Sequence, residues 1–268
     1  MEGRVLIVAG SDSGGGAGIQ GDIKTVTALG SFASTAITAL TAQNTRGVFG
    51  VMPVEPAFVA RQIEVVMNDL GADCIKTGML FSAAIIDAVV RALEKHAKGI
   101  PLVVDPVMIA TSGASLLESD ARTLLELRLL PIASVITPNA PEAEALTGIP
   151  VRDVSDMGRA ADVLLTKGAS AVLLKGGHLP GDRVYDLLRT ADGTERWYDG
   201  PRIASRSTHG TGCALASGLA AGLARGLRLE DAVERARTYV AEAIRRAPDL
   251  GTGAGPLNHA HPFEPTAN

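Results

Sequence analysis

The chain has 268 residues, enough to bury a substantial core as one large α/β domain or two small ones. Hydrophobic residues make up 46% and charged residues 20%, with a net charge of −4, the balance of a globular protein. Scattered Lys and Arg, with only 3% aromatic residues, argue against a nucleic-acid surface. The longest apolar stretch is studded with Gly and Ser and makes no membrane span. Cys74 and Cys213 lie far apart, without disulfide or metal-ligand spacing. A soluble, cytoplasmic protein with a small-molecule partner is expected.

Short apolar runs bounded by turn residues alternate with longer helical patterns, which predicts βαβ repetition and a mostly parallel sheet. Val5–Ala9 reads as a first buried strand, too short for a signal peptide. A helix over Ile19–Leu29 follows, then a strand over Ser34–Thr41 and a helix over Pro56–Leu70. Next come a strand at Cys74–Thr77, a helix at Ala83–Lys95 and a strand at Leu102–Val104. A helix at Ser119–Arg128 leads to a strand at Val135–Thr137. Helices at Glu142–Thr147 and Ser155–Lys167 precede a strand at Ala171–Lys175. The rhythm then changes: Val184–Thr190 and Thr194–Tyr198 flank Ala191-Asp-Gly193 as an antiparallel hairpin. Helices Gly212–Arg225 and Leu229–Arg246 finish the chain before a loop-like tail. With no linker or repeat, one domain over 1–268 is expected.

Two glycine-rich turns enter helices. Thr208-His-Gly-Thr-Gly-Cys213 places Gly210, Thr211 and Gly212 where unpaired N–H groups can face an anion. Cys213 sits at the same turn, where the helix start favours a thiolate and a candidate base; the ordinary alternative is a small buried residue. Ala9-Gly-Ser-Asp-Ser-Gly-Gly-Gly-Ala-Gly-Ile-Gln-Gly-Asp22 contains Gly16-x-Gly18-x-x-Gly21, formally a dinucleotide fingerprint. The acidic residue that grips a ribose is missing, because that region reads Thr41-Ala-Gln-Asn44. Gly10, Asp22 and Gln43 at strand ends suit instead a small neutral, polar ligand. No Walker A loop occurs, so any ATP phosphates would rest on Gly210–Cys213 and lone lysines such as Lys175.

Polar groups also follow the middle strands. Asp105 ends the strand Leu102–Val104, and Asn139 and Glu142 follow Val135–Thr137. Oxygen donors of this kind hold Mg²⁺ through water while a nucleotide supplies the remaining ligands. Separately, Glu142 also suits a first helical turn and Asn139 an N-cap. Together with the anion cradle they point to phosphoryl transfer.

These residues fall within motifs that run almost end to end. They are A-G-S-D-S-G-G-G-A-G-I-Q at Ala9–Gln20, T-A-L-T-A-Q-N-T at Thr38–Thr45, K-T-G-M-L at Lys76–Leu80, V-V-D-P-V-M at Val103–Met108 and T-S-G at Thr111–Gly113. They continue with I-T-P-N-x-P-E-A at Ile136–Ala143, L-K-G-G-H at Leu174–His178, T-H-G-T-G-C at Thr208–Cys213 and G-P-L-N-H at Gly255–His259. In these the chain resembles the bacterial hydroxymethylpyrimidine/phosphomethylpyrimidine kinases of thiamine biosynthesis, within the ribokinase-like superfamily. The resemblance implies a three-layer α/β/α fold, a homodimer, and ATP with Mg²⁺. It implies two successive phosphorylations of 4-amino-5-hydroxymethyl-2-methylpyrimidine, on the hydroxymethyl group and then on the monophosphate. It puts Gln43, Gly10, Asp22, Met79 and Val107 around the pyrimidine, and Glu142 and Asp105 beside the metal. Asn139, Lys175, Thr208, Gly210, Thr211 and Gly212 fall around the nucleotide, with Lys175, Gly210 and Gly212 at the transferring phosphate and Cys213 as base. His209 stands between a phosphate contact and a turn residue.

Three rivals remain. A pyridoxal or pyridoxine kinase acts on a similar flat ring with a hydroxymethyl group. A non-catalytic pyrimidine sensor would have no need of Cys213, Lys175, Glu142 and both glycine loops. A redox nucleotide enzyme lacks its ribose-binding acid.

Overall fold

The computed structural model describes residues 1–109, 113–114, 116–118 and 120–265. Thr111 and Ser112 of the T-S-G motif, and Ser119 at the start of a predicted helix, lie outside the described residues.

The chain alternates strands β1 (Arg4–Asp12), β2 (Phe32–Asn44), β3 (Gly47–Pro53), β4 (Cys74–Thr77), β5 (Leu102–Val104), β6 (Val135–Ile136) and β7 (Ala171–Lys175) with helices. The helices are α1 (Gly18–Ala28), α2 (Pro56–Asp69), α3 (Ala83–His96), α4 (Ala121–Leu124), α5 (Ala140–Thr147) and α6 (Val154–Thr166). The hairpin β8 (Arg183–Thr190) and β9 (Glu195–Pro201) follows, then α7 (Thr211–Ala224) and α8 (Leu229–Arg245). All nine strands form one sheet in the order β3-β2-β1-β4-β5-β6-β7-β8-β9. The run from β2 to β7 is parallel, whereas β3 and the β8–β9 hairpin pair antiparallel at the two edges.

Period-two alternation sorts each central strand between two cores. Val5, Ile7 and Ala9 face the side of α1, α7 and α8, with Cys74, Val103 and Leu173 beside them. Leu6 and Val8 face the side of α2, α3, α5 and α6, with Ile75, Val104 and Ile136. Both faces are covered, which is why these strands read as near-continuous apolar runs. α7 lies close against α8 because its contact face is glycine. A Cβ at Gly222 would come within 2.7 Å of the Ala232 Cβ, and one at Gly218 within 3.0 Å of the Ala236 Cβ.

Two elements depart from the sequence expectation. β3 pairs antiparallel with a β2 that runs three residues past the predicted Thr41, placing Gln43 in the strand. The predicted Ser119–Arg128 helix is regular only over Ala121–Leu124. It widens into a π turn at Leu125–Leu129 and tightens to a 3₁₀ turn at Leu130–Ile132. Pro131, without an N–H, cannot continue the α ladder.

Candidate functional site

The carboxyl ends of the parallel strands all open onto one cleft of about 1160 Å³. From β1 the chain steps to β2 on one side and later resumes at β4 on the other. Such a reversal leaves a crevice where open α/β sheets bind ligands. Gly10, Gln43, Met79 and Val107 line the cleft, as do Asp105, Asn139, Glu142, Lys175, Thr208 and Gly210–Cys213.

The start of α7 forms one wall. Gly210, its N-cap, has φ of 85° and offers no side-chain cap. A Cβ there would sit 1.9 Å from the Gly16 carbonyl oxygen, so the two glycine loops touch backbone to backbone. Without a side-chain cap, the N–H groups of Gly212 and Cys213 in the first turn remain available to an anion. Across from them Lys175 Nζ lies 2.9 Å from Asp105 Oδ1 and 3.9 Å from Glu142 Oε2. Gly212 leaves room for this lysine, because a Cβ there would come within 3.2 Å of Nζ.

Asn139 and Glu142 form a reciprocal capping box at the start of α5, with backbone-to-side-chain bonds of 2.8 and 2.9 Å. Burial pushes the Glu142 carboxyl up to about 7, against the opposing pull of Lys175. Burial also works against the Asp105 charge, but Lys175 and Lys76 outweigh it and hold that carboxyl below its usual range. Among the described residues no three His, Cys, Asp or Glu side chains gather as a metal cluster. Asp105 and Glu142 are two carboxylates on the cleft wall, oxygen donors of the kind a hard divalent cation takes beside phosphate and water.

Cys213 departs from expectation in one respect. It is half-buried at the helix start, with the Gly18 N–H toward its sulfur, but the resting group is a thiol. Burial pushes it up to about 12, and Lys76 only partly offsets this, while Asp22 and Asp105 add to it. Desolvation outweighs the helix start here.

Asp22 also lies elsewhere than expected. It is fully buried behind the cleft, its Oδ2 2.8 Å from Lys76 Nζ and its Oδ1 accepting from Ser217 at 2.7 Å. Lys76, not Asp22, lines the cleft. Burial opposes the Lys76 charge, yet the carboxylates of Asp22 and Asp105 offset it and keep the ammonium. The signal in the sequence was a lone lysine inside the apolar strand Cys74–Thr77, a position where a charge needs a buried partner.

The first glycine loop is closed on itself. The Asp12 carboxylate accepts from the N–H groups of Gly14 at 2.8 Å, Gly16 at 3.1 Å and Ala17 at 2.8 Å. His209 Nε2 lies 2.8 Å from the same carboxylate and 3.3 Å from Gln43 Nε2. His209 therefore contacts a carboxylate and the Gln43 amide. The tail pins its backbone, since the His209 N–H donates to the Gly255 carbonyl at 3.1 Å.

A family model for phosphomethylpyrimidine kinase matches residues 12–258. The chain is 52% identical, over 96% of its length, to the thiamine biosynthesis bifunctional protein ThiED of Geobacter sulfurreducens, and spans 52% of that longer protein. It is 48% identical to the hydroxymethylpyrimidine/phosphomethylpyrimidine kinase of Streptomyces coelicolor, over 95% of this chain and 93% of the relative. A crystal structure of phosphomethylpyrimidine kinase from Clostridium difficile, 42% identical, superposes with a TM-score of 0.80 over 90% of this chain and 99% of that one. An ADP complex of Bacillus subtilis pyridoxal kinase, 31% identical, superposes at 0.89 over 97% and 98%. With its ribokinase-like architecture and near-complete match, the chain belongs to the phosphomethylpyrimidine kinase family.

Proposed function

We propose that this chain uses ATP to phosphorylate the hydroxymethyl group of 4-amino-5-hydroxymethyl-2-methylpyrimidine, and then the monophosphate, in thiamine biosynthesis. The observation that carries the reading is the open start of α7 beside Lys175, with Gln43 and Met79 lining the same cleft. The N–H groups of Gly212 and Cys213 and the Lys175 ammonium would meet charge on the transferring phosphoryl oxygens. Gly210, Thr211 and Thr208 shape that wall, and Asn139 holds Glu142 in place beside the phosphates. Gly10, Met79 and Val107 would enclose the ring that Gln43 reads, and Asp22 acts through Lys76 rather than on the ring. Asp105 and Glu142 would hold Mg²⁺, which supplies charge neutralisation on the phosphates when bound.

Cys213 would accept the hydroxyl proton of the first step only after its resting thiol has released its own proton to solvent, a loss that burial opposes and the Lys76 charge favours. A loose phosphoryl transfer demands little of its base, so positioning and electrostatics carry most of the acceleration. In the second step the nucleophile is a phosphate oxygen already ionised near neutrality, and no base is needed.

The likeness to pyridoxal kinase favours a second reading, vitamin B6 salvage. Mass spectrometry after incubation with Mg-ATP and either ring separates the two. Mono- and diphosphorylated pyrimidine support the first reading, phosphorylated pyridoxal alone supports the second, and no product from either defeats both. One continuous sheet supports a single domain, and no described helix is long and apolar enough to cross a membrane. Exposed Phe49 and Met52 on β3 and exposed Phe58 on α2 support a homodimer, which light scattering would check.

A further inference from the structure

The mechanism leaves one buried pair unused, Asp12 and His209, and the pair stands against Gln43. Asp12 and His209 are both buried, and three backbone N–H groups hold the carboxylate. The imidazole is wedged against the first glycine loop, since a Cβ at Gly16 would come within 2.4 Å of His209 Cδ2.

Elementary hydrogen-bond chemistry then orients Gln43. An ionised carboxylate only accepts, so His209 Nε2, 2.8 Å from Asp12 Oδ2, carries its hydrogen there. Thr41 has a single hydroxyl hydrogen, and the Ser11 carbonyl at 2.9 Å takes it. Gln43 Oε1 lies 3.2 Å from Thr41 Oγ1 and Gln43 Nε2 lies 3.3 Å from His209 Nε2, so with both of those hydrogens committed elsewhere the amide satisfies its neighbours only with its two ends exchanged. The two ends of a side-chain amide are told apart by their partners. Both partners are satisfied when Gln43 Nε2 donates to Thr41 and Gln43 Oε1 accepts the His209 hydrogen, which it shares with Asp12.

We propose that His209, locked by Asp12, fixes the Gln43 amide so that one N–H and one oxygen lone pair face the cleft side by side, and so sets the ring preference. That pair matches a ring bearing an amino group next to a ring nitrogen, as Asn and Gln match adenine. A pyridine ring without that adjacent pair satisfies only one of the two. His209 is thus a positioning residue for specificity. The inference rests on the aminopyrimidine reading above and deepens it.

Two measurements test it, and neither needs turnover. The first is ¹⁵N NMR of the wild-type protein labelled at its five histidines, with His209 assigned from the spectrum of a His209→Gln variant. A protonated Nε2 is expected; an unprotonated Nε2 with hydrogen on Nδ1 overturns the proposal. The second is calorimetric binding of hydroxymethylpyrimidine and of pyridoxal. His209→Leu is expected to weaken the pyrimidine about tenfold, the loss of roughly one hydrogen-bond-sized discrimination, with pyridoxal changed less than about twofold. His209→Gln, whose amide nitrogen falls near the Nε2 position, should restore most of the loss. Equal weakening of both rings, no weakening, or no recovery in His209→Gln overturns it. Product formation by the wild type tests the kinase reading separately, so the two can fail independently.

Discussion

The two glycine loops look alike in sequence and behave oppositely in the fold. Both lead a turn into a helix, and both could cradle an anion on backbone N–H groups. In the first loop the protein's own Asp12 carboxylate already occupies the N–H groups of Gly14, Gly16 and Ala17. In the second, the start of α7 has no side-chain cap and faces Lys175. A glycine spacing therefore describes what the backbone can do, and the nearest carboxylate decides whether the N–H groups remain free. On the proposed function, the first loop stands beside the ring and the second is left for phosphate.

The largest effect should come from breaking the contact between the loops. Gly210→Ala forces a Cβ against the Gly16 carbonyl at a backbone angle that only glycine adopts easily. It should lower stability by about 3 kcal/mol or more and abolish activity, read by thermal melts and product assay. Lys175→Met removes the cation opposite the open loop. Its kcat should fall about 100- to 1,000-fold in both steps, with KM for the pyrimidine changed only about threefold.

Cys213→Ala separates the base from the loop that carries it. The first phosphorylation should slow about 10- to 100-fold and the second about twofold, measured with each substrate separately. Equal losses would reduce Cys213 to a packing residue. On the closed side, Asp12→Asn should cost about 1–3 kcal/mol in a denaturant melt, because three N–H groups lose a charged acceptor. Its kcat should stay within about threefold of wild type, since the open loop is untouched.

The smallest effect is one of pH. The Glu142 carboxyl is raised to about 7 in the fold, so the folded state holds its proton more tightly than the unfolded chain. The stabilising contribution is complete below the ordinary carboxylate range and is lost as pH rises through 7. Metal-free wild type should therefore lose stability relative to Glu142→Gln between about pH 5 and pH 8. A parallel pH dependence of the two melts would contradict this.

Much of the fold was legible because parallel strands buried on both faces, such as Val5–Ala9 and Ala171–Lys175, announce themselves as apolar runs between turns. β3 was not, since an edge strand carrying Gly47 and Gly50 and half in solvent shows no clear alternation. At the site, the residues at strand ends could be listed from the sequence, but their partnerships could not. Asp22 reads as a ligand contact until Lys76 is seen to claim it across fifty-four positions of chain. Asp12 and His209, 197 positions apart, meet only when the two loops are folded against each other. The Cys213 thiol departs from the expected thiolate for a related reason: a helix start is visible in sequence, whereas the burial that outweighs it is not.

The most direct test of the two-loop account is a crystal structure with a non-hydrolysable ATP analogue. The account predicts β- and γ-phosphates against the N–H groups of Gly212 and Cys213, within reach of Lys175, with Asp12 still holding Gly14, Gly16 and Ala17. Phosphates seated on the first loop, with Asp12 displaced from its N–H groups, would contradict it.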